Sequence, residues 1–365
     1  MIEEHAAPDW FSKPGDSIRA VMQRRGIAAR DLASLFDDGM ETVRGLLDGS
    51  APIDEEAAVR LASLLGASKS FWLRRQENFD LAVNRAVERI RNAEDEDLVL
   101  SLPAPGAKPR GRLTEAKKAE EVRRRLVYFN VPTVTSWALR YGRLVGNTDF
   151  RTSNAFSSSD DATLLWLRRG ELESDMISTR TWNPGNLEDR LSEIRKLSRL
   201  RHPDAFLPKL RELLAEVGVA LVVVKPPQDC KASGAARMVD SDKAMILMSF
   251  RYRSDDHFWF TLFHEIGHLL LHQAHTFVDG DETPVNEKEL EANGFAESCI
   301  IPSNRSSEFE RLRPNKDDVL RFSVSIGVAP GLTVGQMQHR EMIGRDKLNY
   351  LKRRWNWDDI ISAVS

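Results

Sequence analysis

The sequence predicts an α+β protein that is mostly helical, and the expectation rests on its hydrophobic periodicity. Apolar residues recur at helical spacing through residues 14–88, 115–128, 162–171 and 187–200. Against these stands one short β-branched block, Val219-Ala220-Leu221-Val222-Val223-Val224, bounded by Gly218 and the Pro226-Pro227 pair, which reads as a buried strand. A further run, residues 258–272, is apolar on every face yet holds three histidines and a glutamate, the pattern of a buried helix carrying chemistry. The expected organisation is a five-helix amino-terminal domain over 1–95, a linker over 96–113, a helical middle region over 114–204, a small sheet-and-helix core over 205–312 and a helical carboxy-terminal region over 313–365.

Composition bounds the functional classes. At 365 residues the chain is too long for one ordinary core. Hydrophobic residues at 41% and charged residues at 29% are those of globular proteins, which excludes wholesale disorder. The apolar run 217–224 is far too short for a membrane helix. The start, Met1-Ile2-Glu3-Glu4-His5, has neither the basic residues nor the apolar stretch of a secretory signal, so a cytoplasmic location and no membrane contact are expected. Two cysteines, Cys230 and Cys299, are too few for a disulfide framework or a thiolate cage, so any metal must use His and carboxylate. Cys299 reads as a small buried hydrophobe. With a net charge of −3, nucleic acid would need a local basic patch.

In the amino-terminal part, Gly26, Gly39, Gly49 and Gly66 punctuate short apolar-periodic runs. Small and apolar residues at Leu32-Ala33, Val43, Leu46-Leu47, Ile53 and 57–66 fall where two short helices of a helix-turn-helix would cross, with residues 40–47 as the recognition helix. The surface it would present includes Asp37, Asp38, Met40, Glu41 and Arg44, acidic where phosphates would approach. Met40, Glu41 and Arg44 are thus candidates for touching either DNA, through residues 14–81, or a protein partner. Arg19, Arg24, Arg25 and Arg110 are the basic groups available for phosphate contacts. Residues 101–112, rich in proline, glycine and basic groups, read as linker. The serine-rich 156–161 reads as a turn between helices. Residues 234–239 and 244–249 flank Asp240-Ser241-Asp242-Lys243, a hairpin turn.

Residues 258–272 contain His264-Glu265-Ile266-Gly267-His268, and Ser254 and Asp255 upstream are N-cap residues. On a helix, His264 and His268 lie one turn apart on one face and both reach one Zn²⁺, with Glu265 beside it to polarise a water. A third ligand is expected from the helical run 287–296. Glu291 is the choice, because Ala292 and Gly294 let that helix pack closely. Glu287 shares its face and Glu289 is expected to point away. Ala274 occupies the position where a third histidine six residues after His268 would stand, and His272 and His275 read as cations at a helix end.

His264-Glu265-Ile266-Gly267-His268, Glu291-Ala292-Asn293-Gly294-Phe295-Ala296 and Ile300-Ile301-Pro302 resemble the ImmA/IrrE family of metallopeptidases. Ser233-Gly234-Ala235, Phe250-Arg251-Tyr252 and residues 327–335 are similar to its longer members, and residues 14–81 resemble the HigA-like branch of the XRE repressors. The resemblance implies a zincin-like core with one Zn²⁺ per chain on His264, His268 and Glu291, and Glu265 as general base. It also implies site-specific cleavage of a protein partner, an XRE-type repressor or antitoxin, in stress, phage or mobile-element regulation. Strand 234–239 is a candidate for pairing with an extended substrate. Arg237, Tyr252 and His339 are candidates for stabilising the oxyanion. The rival expectation is a DNA-binding repressor or antitoxin whose zinc domain senses or stabilises without proteolysis. A homodimer is compatible with either.

Overall fold

The computed structural model describes residues 11–92, 95–106, 111–142, 158–272, 277–280 and 287–364. It bears out the mostly helical α+β class. The chain divides into two compact units, one running to Ser178 and including Pro227–Cys230, the other formed by Thr179–Pro226 and the chain from Lys231 onward.

The first unit is helical: α1 (Pro14–Arg25), α2 (Ala29–Ala33), α3 (Met40–Asp48), α4 (Glu55–Leu65), α5 (Lys69–Asn92), α6 (Glu96–Ser101), α7 (Glu115–Phe129), α8 (Val134–Tyr141) and α9 (Ser158–Ser174). Gly26 and Gly49 end α1 and α3 in the left-handed conformation, and Asp54 caps α4 by accepting from the Ala57 amide. Ile18, Leu32, Val43, Leu46, Leu61 and Trp72 meet in one buried core, so α1 to α5 form the expected five-helix arrangement. A second buried group is aromatic, with Phe129 edge-on to Trp137 and Tyr141.

The linker expectation for 96–113 needs correction. Helix α6 lies inside it, Val99 and Leu102 are buried, and the Leu102 carbonyl accepts from Arg125 Nε at 2.8 Å. Two apolar anchors in six residues are too few for periodicity to register. Residues 107–110, including Arg110, lie outside the described residues. The boundaries expected at 113/114 and 204/205 also differ from the observed division. Helices α7 to α9 belong to the first unit, whereas α10 (Pro184–Leu197) and α11 (Pro203–Ala215) belong to the second. Of the expected turn at 156–161, residues 158–161 open α9.

The second unit holds a four-stranded sheet of β1 (Val219–Val223), β2 (Ala232–Asp240), β3 (Lys243–Met248) and β4 (Phe277–Gly280), in the order β1-β3-β2-β4. Strand β1 runs parallel to β3, and β2 is antiparallel to both β3 and β4. The hairpin turn falls where expected, with Asp240 Oδ1 accepting from the Asp242 amide at 2.9 Å. Across the sheet lies α12 (Asp255–Leu271), followed by α13 (Glu287–Ile300), α14 (Ser306–Glu310), α15 (Lys316–Ile326), α16 (Pro330–His339) and α17 (Trp357–Val364). Phe258, Trp259, Leu262, Phe263 and Ile266 of α12 share one core with Ile246, Phe322, Leu332 and Ile360. Residues 313–364 are therefore integral to this unit and not an appended region. Helix α12 is enclosed by β2, β3, α13 and α16, which explains why its sequence is apolar all round. Among the described residues no helix is long and apolar enough to cross a membrane.

Candidate metal centre

Ser254 precedes α12 as expected, although its hydroxyl donates to Asp256 Oδ1 at 2.7 Å instead of capping a backbone amide. One turn separates His264 from His268; their rings are nearly perpendicular, with centroids 4.6 Å apart and Nε2 atoms 2.9 Å apart. Both are buried, as is Glu265.

The third member of the cluster is Glu289. Its Oε2 lies 3.2 Å from His264 Nε2 and its Oε1 3.4 Å from His268 Nε2. His264, His268 and Glu289 form the group of side chains among the described residues that could hold a metal ion. The expectation that Glu291 would join the histidines while Glu289 pointed away is corrected by the packing of α13. Its buried residues are Glu289, Ala292, Ala296 and Ile300, the i, i+3, i+7, i+11 stripe of one helical face. The small residue that admits close approach is on the other helix: a Cβ on Gly267 would stand 3.3 Å from the Ala292 Cα. Gly294 has nothing within 4 Å of where its Cβ would be and takes no part. Glu291, two positions on from Glu289, projects to the flank, where its Oε2 meets His272 Nε2 at 2.7 Å.

The surrounding hydrogen bonds define which ring nitrogens carry protons. Asn293, one turn after Glu289, places Oδ1 3.0 Å from His264 Nδ1, so Nδ1–H donates and Nε2 keeps its lone pair. His272 Nε2–H donates to Glu291, which leaves its Nδ1 to accept from His268 Nδ1–H at 3.1 Å. His268 therefore also presents a lone pair at Nε2. Burial lowers its pKa and favours this neutral form. Burial opposes ionisation of Glu289, but positive charge shared with the two facing imidazoles, whether a proton or a cation, outweighs that and brings its pKa down to about 2. Two imidazole lone pairs and a carboxylate thus face one another. Their separations of 2.9, 3.2 and 3.4 Å resemble the ligand-to-ligand edges, roughly 3.3 Å, of a tetrahedral site with bonds of about 2.0–2.1 Å. Such a donor set suits a small divalent cation.

Glu265 is held against the sheet by an absent side chain. A Cβ on Gly234 of β2 would stand 2.4 Å from Glu265 Oε1 and 2.7 Å from Thr261 Cγ2. Sequence reading missed Asn293 and the roles of Gly234 and Gly267, although all three stand within the quoted motifs. His272, expected as a helix-end cation, is the C-cap of α12 and bonds His268; His275 lies outside the described residues.

Strand β2 is not available along its whole length for substrate pairing, because Ala232 and Gly234 to Ala236 already pair with β4. The outer strands of the sheet are β1 and β4. Strand β4 was not foreseen; Phe277-Val278-Asp279-Gly280 is too short to signal itself. Of the oxyanion candidates, Tyr252 and His339 line one cavity beside α12, while Arg237 is not among its walls and pairs across β2 and β3 with Met245. Cys299 is packed against the core, and burial pushes its thiol up to about 12. Cys230 and Cys299 form no disulfide.

A family profile described as an IrrE N-terminal-like domain, Peptidase M78, matches residues 222–331, from the end of β1 into α16. Residues 222–331 are thus an IrrE N-terminal-like domain. The matched segment contains His264, His268, Glu265 and Glu289. A stretch of 70 residues is 30% identical to the uncharacterized HTH-type transcriptional regulator YddM of Escherichia coli (strain K12), covering 19% of this chain and 74% of that protein. The ImmA/IrrE peptidase domain is thus joined to a region with a helix-turn-helix relative. No solved structure matches the chain.

On the helix-turn-helix surface, α3 begins at Met40, which packs against the first unit's core. Glu41 is exposed, and Arg44, the helix's one basic residue, has Nε 3.4 Å from Glu173 Oε1 on α9.

Proposed function

We propose that the protein is a regulatory zinc endopeptidase, located in the cytoplasm, that cleaves a protein partner, an XRE-type repressor or antitoxin. The observation that carries this reading is the convergence of His264, His268 and Glu289 as unprotonated donors beside the buried Glu265. Two neutral imidazoles and one carboxylate are the ligand set of a catalytic zinc, which keeps a fourth position for water or substrate. When bound, Zn²⁺ would supply Lewis acidity to water and to a peptide carbonyl. Glu265 would take the proton of the attacking water and return it to the nitrogen of the leaving amine as the C–N bond breaks. Asn293 and His272 hold the two imidazoles in the tautomer that faces inward.

The helix-turn-helix region is read here as a protein-recognition module. Asp37, Asp38 and Glu41 would face phosphates, and Arg44 is engaged by Glu173 within its own unit. That pair is partly exposed and contributes at most about 1 kcal/mol, so its significance is positional.

The test is to measure zinc stoichiometry, co-express the protein with a neighbouring helix-turn-helix regulator, and map new termini by mass spectrometry. Glu265→Gln retains zinc and abolishes cleavage. Cleavage that survives the substitution overturns the mechanism; sequence-specific DNA binding with no cleavage by the zinc-loaded protein favours the sensor reading instead.

A further inference from the structure

Two basic segments far apart in the sequence are held together in the second unit. Residues 195–201 carry four basic side chains and no acid, and residues 345–354 carry five against Asp346 alone, in a chain whose net charge is −3. Arg353 Nη1 donates to the carbonyls of Ser198 at 3.0 Å and Leu200 at 2.8 Å, and Trp355 Nε1 donates to that of Arg201 at 2.9 Å. Both segments line a groove of about 550 Å³, whose walls include Arg201, Lys352, Arg353, Arg354 and Tyr350. That volume lies within the roughly 300–1,000 Å³ of small-ligand sites.

Most of this positive charge is not neutralised from within. Lys352 has a carboxylate, Asp256 Oδ2 at 2.5 Å. Arg201, Arg353 and Arg354 have no ion pair among the described residues. The acid in the wall, Asp359, accepts from the Asn356 amide at 3.3 Å. Burial lowers the Arg353 pKa; Asp255 opposes this and the charge of Arg201 reinforces it. Two guanidiniums thus repel across the groove wall, and an anion between them would relieve that repulsion. Arg201 and Arg354 are exposed, hence available to a ligand.

Guanidinium forks match phosphate oxygens in pairs. One carboxylate would leave most of the charge of three arginines uncompensated, whereas a chain of phosphates meets them one for one. Tyr350, 69% exposed at the same groove, offers an aromatic face on which a base can stack.

We infer that this groove binds a nucleoside triphosphate, with its phosphates on Arg201, Arg353 and Arg354 and its base against Tyr350. The site is separate from the metal centre. Its link to α12 is Asp255, whose Oδ1 accepts from the Arg353 amide, and Asp255 stands about 14 Å of helix before His264. The inference does not rest on the peptidase reading.

Full-length, zinc-loaded protein is titrated with ATP and with inorganic triphosphate by isothermal titration calorimetry, without added magnesium. ATP should bind saturably, weaken between about 50 and 200 mM salt, and bind roughly 10-fold tighter than triphosphate, the worth of one stacked base. Arg201→Ala and Arg354→Ala should each weaken both ligands by roughly 10-fold or more. Tyr350→Ala should bring the ratio of the two affinities to about one. Arg321→Ala, which removes an exposed arginine of α15, should change neither. Glu289→Ala, which removes a metal donor, should keep the affinity for ATP; loss of binding there places the ligand on the zinc and overturns the inference. Absence of saturable binding, or unchanged binding in both arginine variants, overturns it as well. Tighter binding of a short single-stranded oligonucleotide than of ATP replaces the nucleotide by a nucleic-acid strand.

Discussion

Nε2 of His272 lies 2.7 Å from Oε2 of Glu291, and the other ring nitrogen of His272 lies 3.1 Å from Nδ1 of His268. The carboxylate thus acts on the metal centre at two removes. Glu289→Ala is expected to abolish stoichiometric zinc binding, because it deletes a donor. Glu291→Ala should weaken binding only by roughly 10–100-fold, the usual effect of losing an outer hydrogen-bond partner. Competition with a chelating indicator measures both, and equal losses would count against the assignment.

Gly234 leaves room for Glu265, so Gly234→Ala should displace that carboxylate without touching a metal donor. Retained zinc with a fall in peptide cleavage of at least about 100-fold is expected, since general-base catalysis contributes typically 10²–10⁴-fold. Wild-type turnover in this variant would show that the contact does not position Glu265.

Asp255 is buried at the start of α12, with Oδ1 accepting from the Asp256 and Arg353 amides, both at 3.0 Å. Burial, partly offset by the Arg353 amide, raises its pKa to about 7. A raised carboxyl pKa means the folded state holds a proton that the unfolded chain releases near 3.8. Its contribution is full below that value and lost as pH rises through about 7. Thermal melts should show the native protein losing stability between pH 4 and 7, by at most about 4 kcal/mol, with Asp255→Asn flattening the slope.

In the first unit, Glu171 is buried and its Oε2 accepts from Arg168 Nη1 at 2.6 Å, Tyr141 Oη at 2.8 Å and Arg140 Nη2 at 3.1 Å. Removing the carboxylate strands the buried Arg168 cation. Glu171→Ala should destabilise this unit by about 3–5 kcal/mol, measured by urea unfolding, whereas Arg44→Ala should change stability by less than about 1 kcal/mol.

With its α3 arginine beside Glu173, the helix-turn-helix region should give no specific duplex binding. Gel-shift titrations at physiological salt should show only non-specific affinity, about 10⁻⁴–10⁻⁶ M. A salt-sensitive complex in the 10⁻⁸–10⁻¹¹ M range would restore the operator-binding reading.

The local pattern of residues was sufficient for the helices of 14–92, the strand at 219–223, the hairpin turn at Asp240–Lys243 and the His264–His268 pair. Each depends on contacts a few residues apart, where periodicity, caps and turn chemistry act directly. Which glutamate meets the histidines depended on the rotation of α13 against α12. That rotation is set by Gly267 meeting Ala292, residues 25 positions apart in sequence but touching in space. The same holds for Gly234 beneath Glu265 and for β4 on the edge of β2. Sequence spacing determined that α12 would present two imidazoles on one face; only tertiary packing decided what lay opposite them, because interhelical register is fixed by steric fit between side chains remote along the chain.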